Sequence, residues 1–172
     1  RQLVPSDYFK YLKFELNLEE LRSMRSSKLL QECEKEVQHR FRQISSKCMT
    51  HISNVFERGL RRFPNNMEMW SDYIAFLKDK GSFNTLNIVF GQALHLHPTN
   101  EDLWLQASMF ELGTNSNAHA ARVLLQRAIR LNPKSQKLWM RYFELELWYS
   151  LRNTERRNFL GLDNNNNDNN DN

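Results

Sequence analysis

Glycine and proline are scarce in this chain, five and four among 172 residues. A β sandwich or barrel needs a turn every few residues, and the residues that make such turns are too few for one. Only two cysteines are present, Cys33 and Cys48. They form no paired metal or redox motif, so a reducing compartment, cytosol or nucleus, is expected. No run approaches about 18 apolar residues, so no membrane contact is expected. There is no glycine-rich phosphate loop and no G-x-S-x-G turn. His95 and His97 are two apart and point to different faces of a helix, which rules out a shared metal. His51 and His119 have no carboxylate at ligand spacing along the chain, and His39 has only Glu36. Catalytic, cofactor-binding and metal-ligating residues are therefore all expected to be none. The chain starts at Arg1 without a signal-peptide pattern, which reads as a segment of a longer protein.

What the chain does have is an interval. Trp70 to Trp104 is 34 residues and Trp104 to Trp139 is 35, while Pro64 to Pro98 is 34 and Pro98 to Pro133 is 35. Two unrelated marker residues keeping one step indicate tandem helical hairpins, with a period in the tetratricopeptide range. In each first helix apolar residues fall at i, i+3 and i+6: Trp70, Tyr73, Phe76; Trp104, Phe110; Trp139, Tyr142, Leu145. These positions share one side of a helix and are expected to be core. The second helices carry small and apolar residues, such as Ala93 and Leu94 or Ala128 and Ile129. Pro64, Pro98 and Pro133 close the units, because proline cannot continue a helix.

An all-α array over 1–160 follows, with repeats at about 7–64, 66–98, 101–133 and an incomplete one at 136–160. The first repeat begins at a Ser6-Asp7 cap and places Tyr8, Tyr11 and Phe14 at the same spacing, so these are also expected in the core. Its first helix should run to about Arg25 and its second is legible at 52–63. The residues between, 26–47, read as an insertion holding one further helical segment around Val37, Phe41 and Ile44. The last repeat lacks a second helix; its first continues to about Leu160 instead. The residues 161–172 are almost entirely Asn and Asp, with little to bury, and a disordered tail is expected.

Charge is uneven. Residues 1–62 hold 13 Lys/Arg against 8 Asp/Glu, a balance of +5, and 63–172 hold 11 against 12. Such a basic half attracts RNA or an acidic protein, unless it is simply a solvated face. Glu15, Glu111 and Glu146 each follow an aromatic stripe, and pairing with a second-helix arginine is expected, for example Glu111 with Arg122 or Arg127. In the incomplete last repeat the side bearing Leu145, Trp148, Tyr149 and Leu151 has no covering helix. Such an end needs a cap, either from further repeats or from another protein, and with Arg152, Arg156 and Arg157 on its border it is the expected partner surface.

The pattern Trp139-x-x-Tyr142-x-x-Leu145-Glu146, the second-helix run Ala121-Arg122-Val123-Leu124-Leu125-Gln126-Arg127-Ala128-Ile129 and the closing proline resemble the half-a-TPR (HAT) repeat. Ala107 in the tyrosine position and Gly91 in place of the usual Glu depart from it. The resemblance covers residues 7 to about 150 and implies a right-handed superhelical α-solenoid of antiparallel hairpins. HAT repeats occur in scaffolds of splicing, pre-mRNA 3′-end and ribosomal RNA complexes. The start, Tyr11-Leu12-Lys13-Phe14-Glu15-Leu16 followed by an insertion, and the prolonged helix at Tyr142-Phe143-Glu144-Leu145-Glu146-Leu147 look like the U3 small nucleolar RNA-associated protein 6 family. That resemblance implies a non-catalytic scaffold of the small-subunit processome in the nucleolus, needed for 18S rRNA maturation. Its implied partners are protein subunits of a ribonucleoprotein complex, β-propeller proteins among them, with U3 snoRNA and pre-rRNA contacted indirectly. Two other readings are direct RNA binding through the basic half and a peptide-clamp tetratricopeptide module. The clamp needs matched inner-face Lys/Arg and Asn, which the Trp70, Trp104 and Trp139 units do not supply.

Overall fold

A computed structural model describes residues 5–29 and 35–161. The expected disordered tail beyond Gly161 lies outside the described residues, as do the side chain of Val37 and all of Cys33. The described residues form α-helices joined by short connections: α1 Pro5–Leu29, α2 Lys35–Arg62, α3 Met67–Asp79, α4 Phe83–Leu96, α5 Glu101–Gly113, α6 Ala118–Leu131 and α7 Gln136–Phe159. They fall into two compact units, Arg1–Val89 and Phe90–Asn172, with the division inside α4.

In the first unit α1 and α2 run antiparallel: Tyr8 meets Phe63 near one end, and Glu19 meets Ser45 towards the other. The expected separate insertion helix is corrected here. Residues 35–62 form one continuous helix, with no glycine or proline before Gly59 to interrupt it, and α1 extends to Leu29. The inserted length therefore extends both arms of one hairpin. The core of this unit gathers on Phe56, which is fully buried, stacked on Tyr73 at 4.8 Å and tilted against Phe76 at 5.7 Å. Asn66 caps α3 by accepting from the Met69 N–H at 3.2 Å. Gly81, at φ 67°, supplies the left-handed residue that ends the α3 turn.

The register of α1 also differs from expectation. Tyr8 is half-buried, but Tyr11 and Phe14 are exposed, 44% and 62%, while Leu12 and Glu19 are buried. Steps of three residues drift by about 60° around a helix, so three such positions share a face only when the buried face is wide. In α3 it is wide, and Met69, Trp70, Tyr73, Ile74, Phe76 and Leu77 are all buried. The buried face of α1 is narrow, and the drift carries Phe14 out to solvent.

In the second unit three caps set the helix starts. Asn100 accepts from Leu103 N–H, Asn117 from Ala120 N–H and Ser135 from Leu138 N–H. The turn before α6 places Ser116 at φ 51°. Leu103, Trp104, Ala107, Phe110, Ala121, Leu125, Ala128, Leu138 and Leu145 form its core, with Phe90 against Phe110 at 5.8 Å.

Candidate interaction surfaces

The indole N–H of each repeat tryptophan donates to the carbonyl of the proline six residues before it. The distances are 2.8 Å for Trp70 to Pro64, 2.9 Å for Trp104 to Pro98 and 3.1 Å for Trp139 to Pro133. Each proline therefore ends one hairpin and anchors the first helix of the next. The three tryptophans are equivalent in this bond but not in burial. Trp70 and Trp104 are 3% and 2% exposed, whereas Trp139 is 51% exposed. The expected core role of Trp139 is thus corrected: no later helix among the described residues packs on its outer side.

Between α6 and α7 the carboxylate of Glu146 receives two parallel bonds from Arg122, at 2.5 and 2.6 Å. The pairing expected for Arg122 with Glu111 is replaced by this one, which joins the second helix of one repeat to the first helix of the next. The Arg122 guanidinium holds the Glu146 carboxyl below the usual glutamate range, and Glu146 in turn raises Arg122. Arg122 also lies 4.5 Å over the Tyr149 ring, and Gln126 donates to the Tyr142 hydroxyl at 3.2 Å. Tyr149 is therefore engaged on the α6 side.

The outer side of α7 is a second correction. Leu145 is buried, on the same face as Leu138, so it does not belong to the uncovered surface. The exposed apolar stripe is Trp139, Met140, Phe143, Leu147 and Leu151, positions that span about a third of the helix circumference. Trp148 stands at its flank, 38% exposed, with the Arg152 guanidinium 5.0 Å over its ring. Arg156 and Arg157 are exposed near the helix end. Phe143 and Met140 escaped the sequence reading because it followed the repeat pattern, which specifies only the buried side.

The first unit carries two charged features of opposite sign. A groove of about 760 Å³ is lined by α1, Phe56 of α2 and α3, and includes Leu12, Leu16, Glu20, Glu68 and Asp72. Burial, with Glu68 beside it, pushes the Asp72 carboxyl up. Glu19 also lines the groove; it is only 4% exposed, Ser45 donates to one of its oxygens at 3.3 Å, and the other oxygen has no hydrogen-bond partner. On α2, Arg40, Lys47, His51, Arg58, Arg61 and Arg62 are exposed. His51 sits 3.8 Å from Glu15 and 3.2 Å from the Tyr11 hydroxyl, a neighbourhood that spacing along the chain did not reveal. The bond with Glu15 raises the Tyr11 phenol above its ordinary value. Among the described residues no three His, Cys, Asp or Glu side chains group as metal ligands, and no helix is long and apolar enough to cross a membrane.

The family model described as PRP39 N-terminal HAT repeat matches residues 15–158. U3 small nucleolar RNA-associated protein 6 of Schizosaccharomyces pombe is 31% identical over 160 residues, covering 93% of this chain and 32% of that protein. The human U3 small nucleolar RNA-associated protein 6 homolog is 27% identical over 150 residues, 87% of this chain and 24% of that protein. The Dictyostelium discoideum homolog is 28% identical over 144 residues, 84% of this chain and 22% of that protein. The chain thus spans about a third or less of the length of these relatives. With hairpins repeating at the tryptophan and proline interval, and a match running through all seven described helices, the chain belongs to the HAT-repeat family described as PRP39 N-terminal HAT repeat.

Proposed function

We propose that this chain is a non-catalytic scaffold segment of a nucleolar pre-ribosomal complex, the U3-containing small-subunit processome, acting in 18S rRNA maturation. The relatives bear the name U3 small nucleolar RNA-associated protein 6 in fungus, mammal and amoeba alike, which favours this complex over a splicing or 3′-end assembly. The observation that carries the scaffold reading is the contrast between Trp104 and Trp139, which make the same bond to a proline carbonyl at 2% and 51% exposure. Repeat proteins bury such faces by stacking, so the α7 stripe is a surface made for a covering helix. In this reading the stripe is covered by a further repeat or by an amphipathic helix of a protein subunit of the complex, with β-propeller proteins as the subunit class.

The test is capture of the tagged protein from nuclear extract, with and without ribonuclease. Protein subunits of the U3 particle that persist after ribonuclease support the scaffold. Recovery of spliceosomal or 3′-end subunits in their place, or loss of every protein after ribonuclease, would sink it. Depletion should cause 18S precursors to accumulate, and the tagged protein should lie in the nucleolus.

A further inference from the structure

From Arg40 to Arg62, α2 holds six Lys/Arg and one acid, Glu57. Arg40, Lys47, His51, Arg58 and Arg62 follow one another at steps of seven, four, seven and four residues. At 100° per residue these steps bring every position back to one stripe, and the stripe runs roughly 33 Å at 1.5 Å per residue. All five are exposed, and the buried side of α2, at Ile52, Val55 and Phe56, lies to one side of the stripe. A helix that needed cations only for solubility would mix the two signs along this face. Among the described side chains three carboxylates border it: Glu57 is 3.7 Å from Arg61, Glu15 is 3.8 Å from His51, and Asp7 shares a shallow hollow with Arg58.

Beside these cations stands an aromatic ring that packing does not account for. Tyr11 is 44% exposed, touches His51 through its hydroxyl and lines the same hollow as Arg58. Cations spaced along a helix with an exposed ring between them provide the two parts of a single-stranded nucleic-acid surface, charge for the phosphates and a face for a base. An acidic protein would use the charges and leave the ring without a function.

We propose that the α2 stripe Arg40, Lys47, His51, Arg58 and Arg62, with Tyr11 of α1, binds single-stranded RNA, the Lys and Arg side chains holding phosphates and the Tyr11 ring stacking on a base. This goes beyond the scaffold reading, which is tested by protein capture after ribonuclease, so either can fail while the other stands.

The experiment is fluorescence anisotropy of a labelled single-stranded oligouridine against the intact chain over a series of salt concentrations. Affinity should fall linearly with salt on logarithmic axes. Replacing Lys47, Arg58 and Arg62 together by Gln should weaken binding tenfold or more and flatten the slope by about 2, since each phosphate contact on a single strand contributes about 0.7. Tyr11→Leu should weaken binding severalfold without changing the slope, and Tyr11→Phe should bind as the parent does. Should the triple variant lose its thermal transition, Lys47→Gln with Arg62→Gln serves in its place with a proportionate flattening. Absence of binding at low salt would overturn the proposal, as would a parental slope in the charge variants or parental affinity in Tyr11→Leu. Competition by polyglutamate as effective as that by unlabelled RNA would also overturn it and make the stripe a site for acidic protein.

Discussion

Trp104 donates its indole N–H to the carbonyl oxygen of Pro98 at 2.9 Å, and Asn132, one repeat later, donates to the same oxygen at 3.1 Å. One carbonyl thus ties the start of α5 to the end of α6. With Trp104 buried, Trp104→Ala should cost roughly 3–5 kcal/mol, the range for large aromatic truncation in a core. Trp104→Phe keeps most of the apolar contact and loses the bond, so it should cost about 1 kcal/mol in that term. Trp139→Ala should cost less than half as much as Trp104→Ala, because half of its surface already meets water. Denaturant midpoints for the three variants decide this; equal losses at Trp104 and Trp139 would mean that the outer side of α7 is covered in solution.

The repeat was legible because its markers are local. A proline that ends a helix and a tryptophan six residues on that bonds back to it need no knowledge of the rest of the chain, and α3 to α6 start and stop where those markers place them. What depends on a neighbour was not legible. Tyr11 and Phe14 repeat the spacing of Tyr73 and Phe76, yet only α3 is packed widely enough to bury such a set. The partner of Arg122 is Glu146 rather than Glu111, since the bond crosses from one hairpin to the next. Glu15 and His51, thirty-six positions apart, meet only once α1 and α2 are antiparallel. Leu145 looked uncovered because the face of α7 that meets α6 cannot be read from α7 alone.

Glu19 places a polar group where burial is expensive. It is 4% exposed, and Ser45 satisfies one oxygen while the other has no partner. An unsatisfied buried polar group costs roughly 1–3 kcal/mol, so Glu19→Leu, close to it in volume, should raise stability by about 1–2 kcal/mol. A higher denaturation midpoint with unchanged helix content is the expected result. A fall in midpoint would show that the carboxylate has a compensating partner in solution.

The Arg122–Glu146 pair gives the second unit an acid-sensitive contact. Since the pair holds the Glu146 carboxyl below the usual glutamate range, the folded state binds this proton less readily than the unfolded chain. Its stabilisation is complete above the ordinary glutamate value and disappears as pH falls through the lowered one. The pair is part-exposed, so solvent screens it and Glu146→Gln should cost no more than about 1 kcal/mol at neutral pH. Parent and variant should converge in stability on acidification. Parallel curves down to strongly acidic pH would mean that the pair is not formed in solution.

The length added to the first hairpin should be separable from its core. Leu12, Ile52, Val55, Phe56 and Leu60 all lie outside 26–47, and the Arg22 guanidinium already reaches Cys48 Sγ at 3.0 Å, so the ends to be joined are close. Linking Arg25 to Cys48 through a short Gly-Ser turn should preserve one cooperative transition and lower helix content by the deleted share. Loop length enters the closure entropy only logarithmically. A broad, non-cooperative melt would place Phe41 and Ile44 in the core.

The uncovered stripe of α7 gives the sharpest separation of folding from assembly. Phe143, Leu147 and Leu151 are 64%, 50% and 66% exposed, so polar residues there leave the folded chain's buried contacts intact. Leu138 and Leu145, on the opposite face of the same helix, hold α7 in place. Replacing Phe143, Leu147 and Leu151 together by Ser should leave the thermal transition within a few degrees of the parent, apart from the small helix propensity penalty of serine. Capture of protein subunits from nuclear extract should be lost in the same variant. Trp148→Ser tests the flank separately: the Arg152 guanidinium already lies over that ring, so its loss should weaken capture less. If the triple variant still captures its subunits after ribonuclease, the partner surface is elsewhere, and the acidic groove between α1 and α3 becomes the face to mutate next.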